Sequence, residues 1–225
     1  MSHQSIIETV EKSIDLLCCK FHSHPTFFFT ENDIVCYFYS VLQQNIPISK
    51  AIDKDGYEHC LIHREYPTPF RCDMGKSKFE LKDDDTRTEK GGKYQRGHYD
   101  IVVLNPHFIR QHSYEVIKAQ NYELYKDQAL SKIGSYNPVI LYGIEFMFRR
   151  DPLKYSRGKN KEKGVNEFIA KVTQDADKLL ASKNMKGFMD QVKMLTFVKG
   201  SSKEICSLLA EKLSLRNEII LCFGE

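Results

Sequence analysis

"PVILYGIEFMF", residues 138–148, is the stretch on which the fold turns. It is apolar almost throughout, rich in β-branched and aromatic residues, and starts at a proline, which predicts a buried strand. Glu145 nevertheless sits between Ile144 and Phe146. Burying an isolated carboxylate costs far more than packing returns, so Glu145 needs a basic partner or a metal ion.

Working outward, "YEHCLIHREYP" predicts an earlier strand that ends at Pro67 and Pro69, and "YDIVVLNP" another that closes at Asn105 and Pro106. The polar stretch from Phe70 to Gly97 between them reads as an irregular loop with room for a short hairpin. Residues 108 to 131 lack Gly and Pro and predict one helix. Beyond Glu145, Val165, Phe168, Ile169, Val172, Ala176, Leu179 and Leu180 recur at helical spacing over 164–181. "QVKMLTFV" and "EIILCF" are further strands, with a helix over about 201–213 between them.

Ahead of all these, Ile6, Ile7, Val10, Ile14 and Leu17 mark an amphipathic helix over residues 4–19. A second helix begins at Thr30, whose hydroxyl can cap while Asp33 stands at the return position of a capping box. Its stripe is Ile34, Val35, Phe38, Val41 and Leu42, and at about 100° per residue Glu31 lies on that same stripe. The expected fold is α/β: a mixed central sheet flanked by helices, in one domain of 225 residues.

Composition narrows the classes. A net charge of +3 is too small to prove a polyanionic partner, so electrostatic claims rest on local clusters. Seven cysteines without a C-x-x-C pair suggest small buried hydrophobes in a reducing, cytoplasmic setting. No apolar run reaches the roughly 20 residues of a membrane span, and the N-terminus does not resemble a secretory signal. The histidines at 22, 24, 59 and 63 complete no zinc spacing, no G-x-S-x-G elbow appears, and "GGKYQRG" lacks a P-loop's spacing.

Strand alternation places Asp100 with Val102 and Leu104, and Glu145 with Met147 and Arg149. If these strands are neighbours, two carboxylates converge and repel unless a cation lies between them. Oxygen ligands favour a hard ion, Mg²⁺ or Mn²⁺. A buried ion pair of Glu145 with Arg149 or another base is the structural alternative.

The segments "TENDIVCYFYSVL", "HREYPTP", "GHYDIVVLNP" and "GIEFMF" together resemble the PD-(D/E)XK nuclease superfamily, with its restriction-endonuclease-like αβββαβ core, over about residues 27–199. The other helices and strand are additions. The resemblance implies that Asp100 and Glu145 hold Mg²⁺ or Mn²⁺, that Glu31 assists, and that phosphodiester bonds of DNA are hydrolysed. The family's lysine would fall at position 147, which is methionine. Lys171, Asp175 and Lys178 follow one another on the shoulder of the 164–181 helix. Lys171 is the preferred substitute and Arg149 the second choice.

"RRDPLKYSRGKNKEK", residues 149–163, carries Arg149, Arg150, Lys154, Arg157, Lys159, Lys161 and Lys163 against Asp151 and Glu162. Such a segment can grip phosphates, with salt-dependent affinity, or simply be solvated. The expected partner is therefore nucleic acid, DNA ahead of RNA, with no membrane and with homodimerisation left open. The alternatives are an inactive or weakened relative that binds nucleic acid or protein, and a structural subunit whose carboxylates only form ion pairs.

Overall fold

The computed structural model describes residues 2–46, 50–73, 78–80, 94–117, 138–150, 160–184, 187–200 and 203–224. Helix α1 (His3–Ser23) buries Ile6, Ile7, Val10, Ile14 and Leu17, as their spacing predicts, and also Phe21, beyond the expected end at residue 19. A single 3-10 turn at Pro25–Phe27 leads to α2 (Glu31–Asn45). Thr30 caps α2: its hydroxyl accepts from the Asp33 backbone N–H, and the Asp33 carboxylate accepts from that of Thr30. The expected capping box is thus present, and it fixes where Glu31 stands.

Strands β1 (Lys50–Ile52) and β2 (Glu58–Cys60) form a small antiparallel hairpin, so "YEHC" belongs to a separate element from "IHREYP". Strand β3 (Ile62–Asp73) runs through Pro67 and Pro69 instead of ending there. The register shifts between Pro67 and Arg71, and the outer edge of β3 meets β4 (Lys78–Glu80) only at Arg71–Asp73. A bulge on a largely unpaired edge is where a strand tolerates proline. Strand β5 (Tyr94–Leu104) begins within the expected loop and pairs antiparallel with β3, while residues 81–93 lie outside the described residues.

The single helix expected over 108–131 is instead broken. Short helices α3 (Pro106–Gln111) and α4 (Tyr114–Ile117) are separated at His112, and residues 118–137 lie outside the described residues. Buried Asn105 caps α3 by accepting from the His107 N–H and donates to the Pro138 carbonyl, tying the end of β5 to the start of the next strand.

Strand β6 (Ile140–Arg150), helix α5 (Asn160–Asn184), strand β7 (Met189–Lys199), helix α6 (Lys203–Leu213) and strand β8 (Ile219–Gly224) complete the described chain. The main sheet has six strands in the order β4-β3-β5-β6-β7-β8. It is mixed: β3, β5 and β6 form an antiparallel meander, whereas β7 and β8 run parallel to β6 and are reached through α5 and α6. Helices α1 and α2 cover one face; α5 covers the other, with α6 beside it. The chain is an α/β fold with a mixed sheet flanked by helices.

Candidate functional site

The site forms where β5 and β6 part. Their ladder runs from Leu104 and Ile140 to Ile101 and Ile144. Continuing that register by one residue sets Asp100 opposite Glu145, so the expected juxtaposition of these two carboxylates is present. Past this point β6 keeps β7 on one side but loses β5 on the other. Backbone N–H groups left there need acceptors. Carboxylates supply them: the Phe146 N–H donates to Asp100 Oδ2 at 2.7 Å, and the Phe148 N–H donates to Glu31 Oε2 at 2.9 Å. Two acidic side chains from β5 and α2 thus stand where a neighbouring strand would lie.

Glu145 is 4% exposed, and its Oε1 lies 2.6 Å from the Lys178 ammonium. Lys178, also buried, donates to the His98 carbonyl at 2.9 Å and lies 3.6 Å from Asp175 Oδ1. Burial raises the Glu145 carboxyl well above its usual range, Asp100 and Asp175 push the same way, and Lys178 opposes them. Burial likewise raises Asp100, Glu31 and Asp175. For Lys178 burial works against the charge, yet Glu145 and Asp175 outweigh it and hold the ammonium above its ordinary value. Four carboxyls raised together, chiefly by burial and further by one another's charge, mark a cluster of perturbed acids.

Glu65 belongs to the same neighbourhood. It falls opposite Asp100 when the β3–β5 register is read across, and its charge adds to the raising of Asp100. Its backbone is left-handed, at φ 51°, a conformation that costs a residue with a side chain about 1 kcal/mol or more. No sequence pattern marks a glutamate for that conformation.

The structure brings Lys178, not Lys171, against Glu145. Lys171 is exposed on α5, close enough to act on Glu31 and Asp175 but without direct contact to Glu145. Arg149 donates to the Gly164 carbonyl at 2.7 Å and stacks 5.1 Å from the Phe168 ring centre, so α5 occupies its guanidinium. Lys163 is exposed, 3.9 Å from Glu167. The backbone at Arg150 ends β6 and that at Lys161 lies in the first turn of α5. Lys154, Arg157 and Lys159 lie outside the described residues. Met147 is half-buried and packs against the core.

Among the described residues, no three His, Cys, Asp or Glu side chains stand together as a ready-made metal cage. Asp100 and Glu145 nevertheless form a pair of hard oxygen donors. Mg²⁺ commonly accepts one or two carboxylates and fills its remaining positions with water and substrate phosphate. The donor chemistry fits such a sparingly held ion. Among the described residues no helix is long and apolar enough to cross a membrane. The chain matches no family model, no curated protein and no solved structure.

Proposed function

We propose that this protein is a Mg²⁺-dependent nuclease of the restriction-endonuclease-like fold, hydrolysing phosphodiester bonds of DNA in the cytoplasm. The observation that carries the reading is the meeting of Asp100 and Glu145 at the β5–β6 fork with the Lys178 ammonium 2.6 Å from Glu145. The order α2, β3, β5, β6, α5, β7, with an antiparallel meander followed by a parallel strand, supports the αβββαβ comparison.

Asp100 and Glu145 would hold the ion, which when bound supplies Lewis-acid polarisation of the phosphate. Lys178 takes the role expected of a lysine at 147. Its charge, held by Glu145 and Asp175, lies beside the carboxylate pair where negative charge builds on the phosphate. Glu31, anchored on the Phe148 N–H, adds a carboxylate that can orient water. Exposed Lys171 stands at the rim, available to a substrate phosphate.

A second reading has its own observation. Lys178 already neutralises Glu145, and Met147 offers no polar group, so the fold could bind nucleic acid without cutting it. Supercoiled plasmid and labelled oligonucleotides incubated with Mg²⁺ or Mn²⁺ separate the two. The nuclease reading expects cleavage that falls at least about 100-fold in Asp100→Ala and Lys178→Ala, together with Mn²⁺ binding heat that disappears in Asp100→Ala. Salt-dependent oligonucleotide binding without cleavage or metal heat would establish the binding reading instead.

A further inference from the structure

The geometry points to an intramolecular disulfide site between Cys18 and Cys222, formed by exchange with a low-molecular-weight disulfide. The two Sγ atoms lie 2.7 Å apart, although 204 positions separate them in the chain. A disulfide bond is about 2.05 Å long, so closing the gap takes only a small movement. Cys18 is half-buried on α1, and Cys222 is buried on β8.

The surrounding seam holds the pair in register. One His22 ring nitrogen lies 3.2 Å from the Phe223 carbonyl oxygen. A Cβ placed on Gly224 would fall 2.4 Å from Pro25 Cβ, so the end of β8 abuts the turn after α1 and tolerates nothing larger than glycine.

The chemistry assigns each sulfur a part. The Cys222 thiol donates to Cys18, which lowers the Cys18 thiol below its ordinary value and raises that of Cys222. Cys18, the more accessible sulfur, therefore attacks. Its thiolate breaks the S–S bond of oxidised glutathione, expels one glutathione thiolate and leaves a mixed disulfide. Cys222 then loses its proton to solvent, attacks the Cys18 sulfur and expels the second glutathione. Two protein thiols are oxidised, and one glutathione disulfide is reduced to two thiols. The sequence reading of the cysteines as inert buried hydrophobes does not anticipate this pair.

The test uses the full chain treated with oxidised glutathione, quenched by alkylation and mapped by peptide mass. Trypsin leaves Cys18 and Cys19 together on "SIDLLCCK", residues 13–20, so the map is made on Cys19→Ser as well as on the wild-type sequence. The expected product joins that peptide to "NEIILCFGE", residues 217–225, about 2 Da lighter than the two reduced peptides together. Closing so long a loop should raise the unfolding midpoint by about 10 °C, reversed by reductant and absent in Cys222→Ala. Glutathione adducts without the cross-link, a link to any other cysteine, or thiols that stay free would overturn the assignment. The map on Cys19→Ser decides even if Cys222→Ala fails to fold.

Discussion

Strand β6 presents two faces that solve the burial problem in opposite ways. Towards α1 and α2 it offers Tyr142, Phe146 and Phe148. Phe146 lies 5.6 Å from Phe38 and 6.3 Å from Phe197, and Phe21 meets Phe148 edge-on at 6.2 Å. Towards α5 it offers Glu145, Met147 and Arg149, where a buried ion pair and a guanidinium bound to a helix carbonyl replace the ring packing. The aromatic face is held chiefly by ring burial, and the Tyr142 hydroxyl donates to the Glu11 carboxylate at its α1 side. The polar face holds only while each charge keeps its partner. A fold seeking stability alone would use the first solution twice, since well-packed apolar residues match or exceed a buried ion pair. The second solution is the one the proposed nuclease reading uses.

The largest effects come from breaking each face in turn. Phe146→Ala should cost about 3–5 kcal/mol by leaving a cavity among the rings. Lys178→Met should cost a similar amount, about 3–5 kcal/mol, by stranding Glu145 without a counter-charge. Urea denaturation across pH tells them apart. The raised Glu145 carboxyl is neutral once pH falls below its folded-state value, so the Lys178→Met loss should shrink in acid, whereas the Phe146→Ala loss should stay constant. Adding Glu145→Leu to Lys178→Met should restore most of the stability. Equal pH profiles for both single variants would mean that the two faces do not differ in kind.

A smaller effect, of opposite sign, is expected at Asp100. Burial raises its carboxyl, so the stability it contributes is fully present below its unfolded value and lost as pH rises through the folded one. Asp100→Asn keeps an acceptor for the Phe146 N–H and removes the charge. It should stabilise the protein by about 0.5–2 kcal/mol at neutral pH, with the gain vanishing in acid, while Mn²⁺ binding is lost. A destabilised Asn variant would show Asp100 to be a strand cap and nothing more.

How far the sequence could show this depends on which forces are local. The Thr30–Asp33 box and the helical stripes of α1 and α5 depend on near neighbours, and all are present where the residues predict them. Strand parity put Asp100 and Glu145 on matching faces, and adjacency of the strands completed the pair. What proved illegible was set by tertiary context. β3 continues through two prolines at a register shift, where among the described residues its outer edge pairs only farther on, at Arg71–Asp73, and Glu65 takes a left-handed backbone that no local pattern marks. Lys171 and Lys178 occupy similar helical positions, and only the place where α5 crosses the β5–β6 fork buries one and leaves the other in water. Ser182, one turn beyond Lys178 and also buried, marks that row as turning inward.

The capping box gives an intermediate effect. Thr30→Ala should cost about 1 kcal/mol in thermal unfolding and, by freeing the first turn of α2, should loosen the Glu31 contact to the Phe148 N–H. Amide exchange at Phe148 should then rise more than exchange at Phe146, which Asp100 still holds. Equal protection of both would show that Glu31 is not positioned by its cap.

The smallest effect is expected at the residue where the sequence departs most visibly from the nuclease pattern. Met147 shares a face with Glu145 and packs half-buried against the core. Leucine nearly conserves its volume, so Met147→Leu should change stability by less than about 1.5 kcal/mol. Its expected effect on cleavage is nil, because the ammonium beside Glu145 reaches it from α5 and not from the strand. Measured beside Lys178→Ala, this variant asks which element carries the positive charge of the site. Cleavage that fails in Met147→Leu but survives in Lys178→Ala would return that role to β6 and reduce the Glu145–Lys178 pair to a structural tie between helix and sheet.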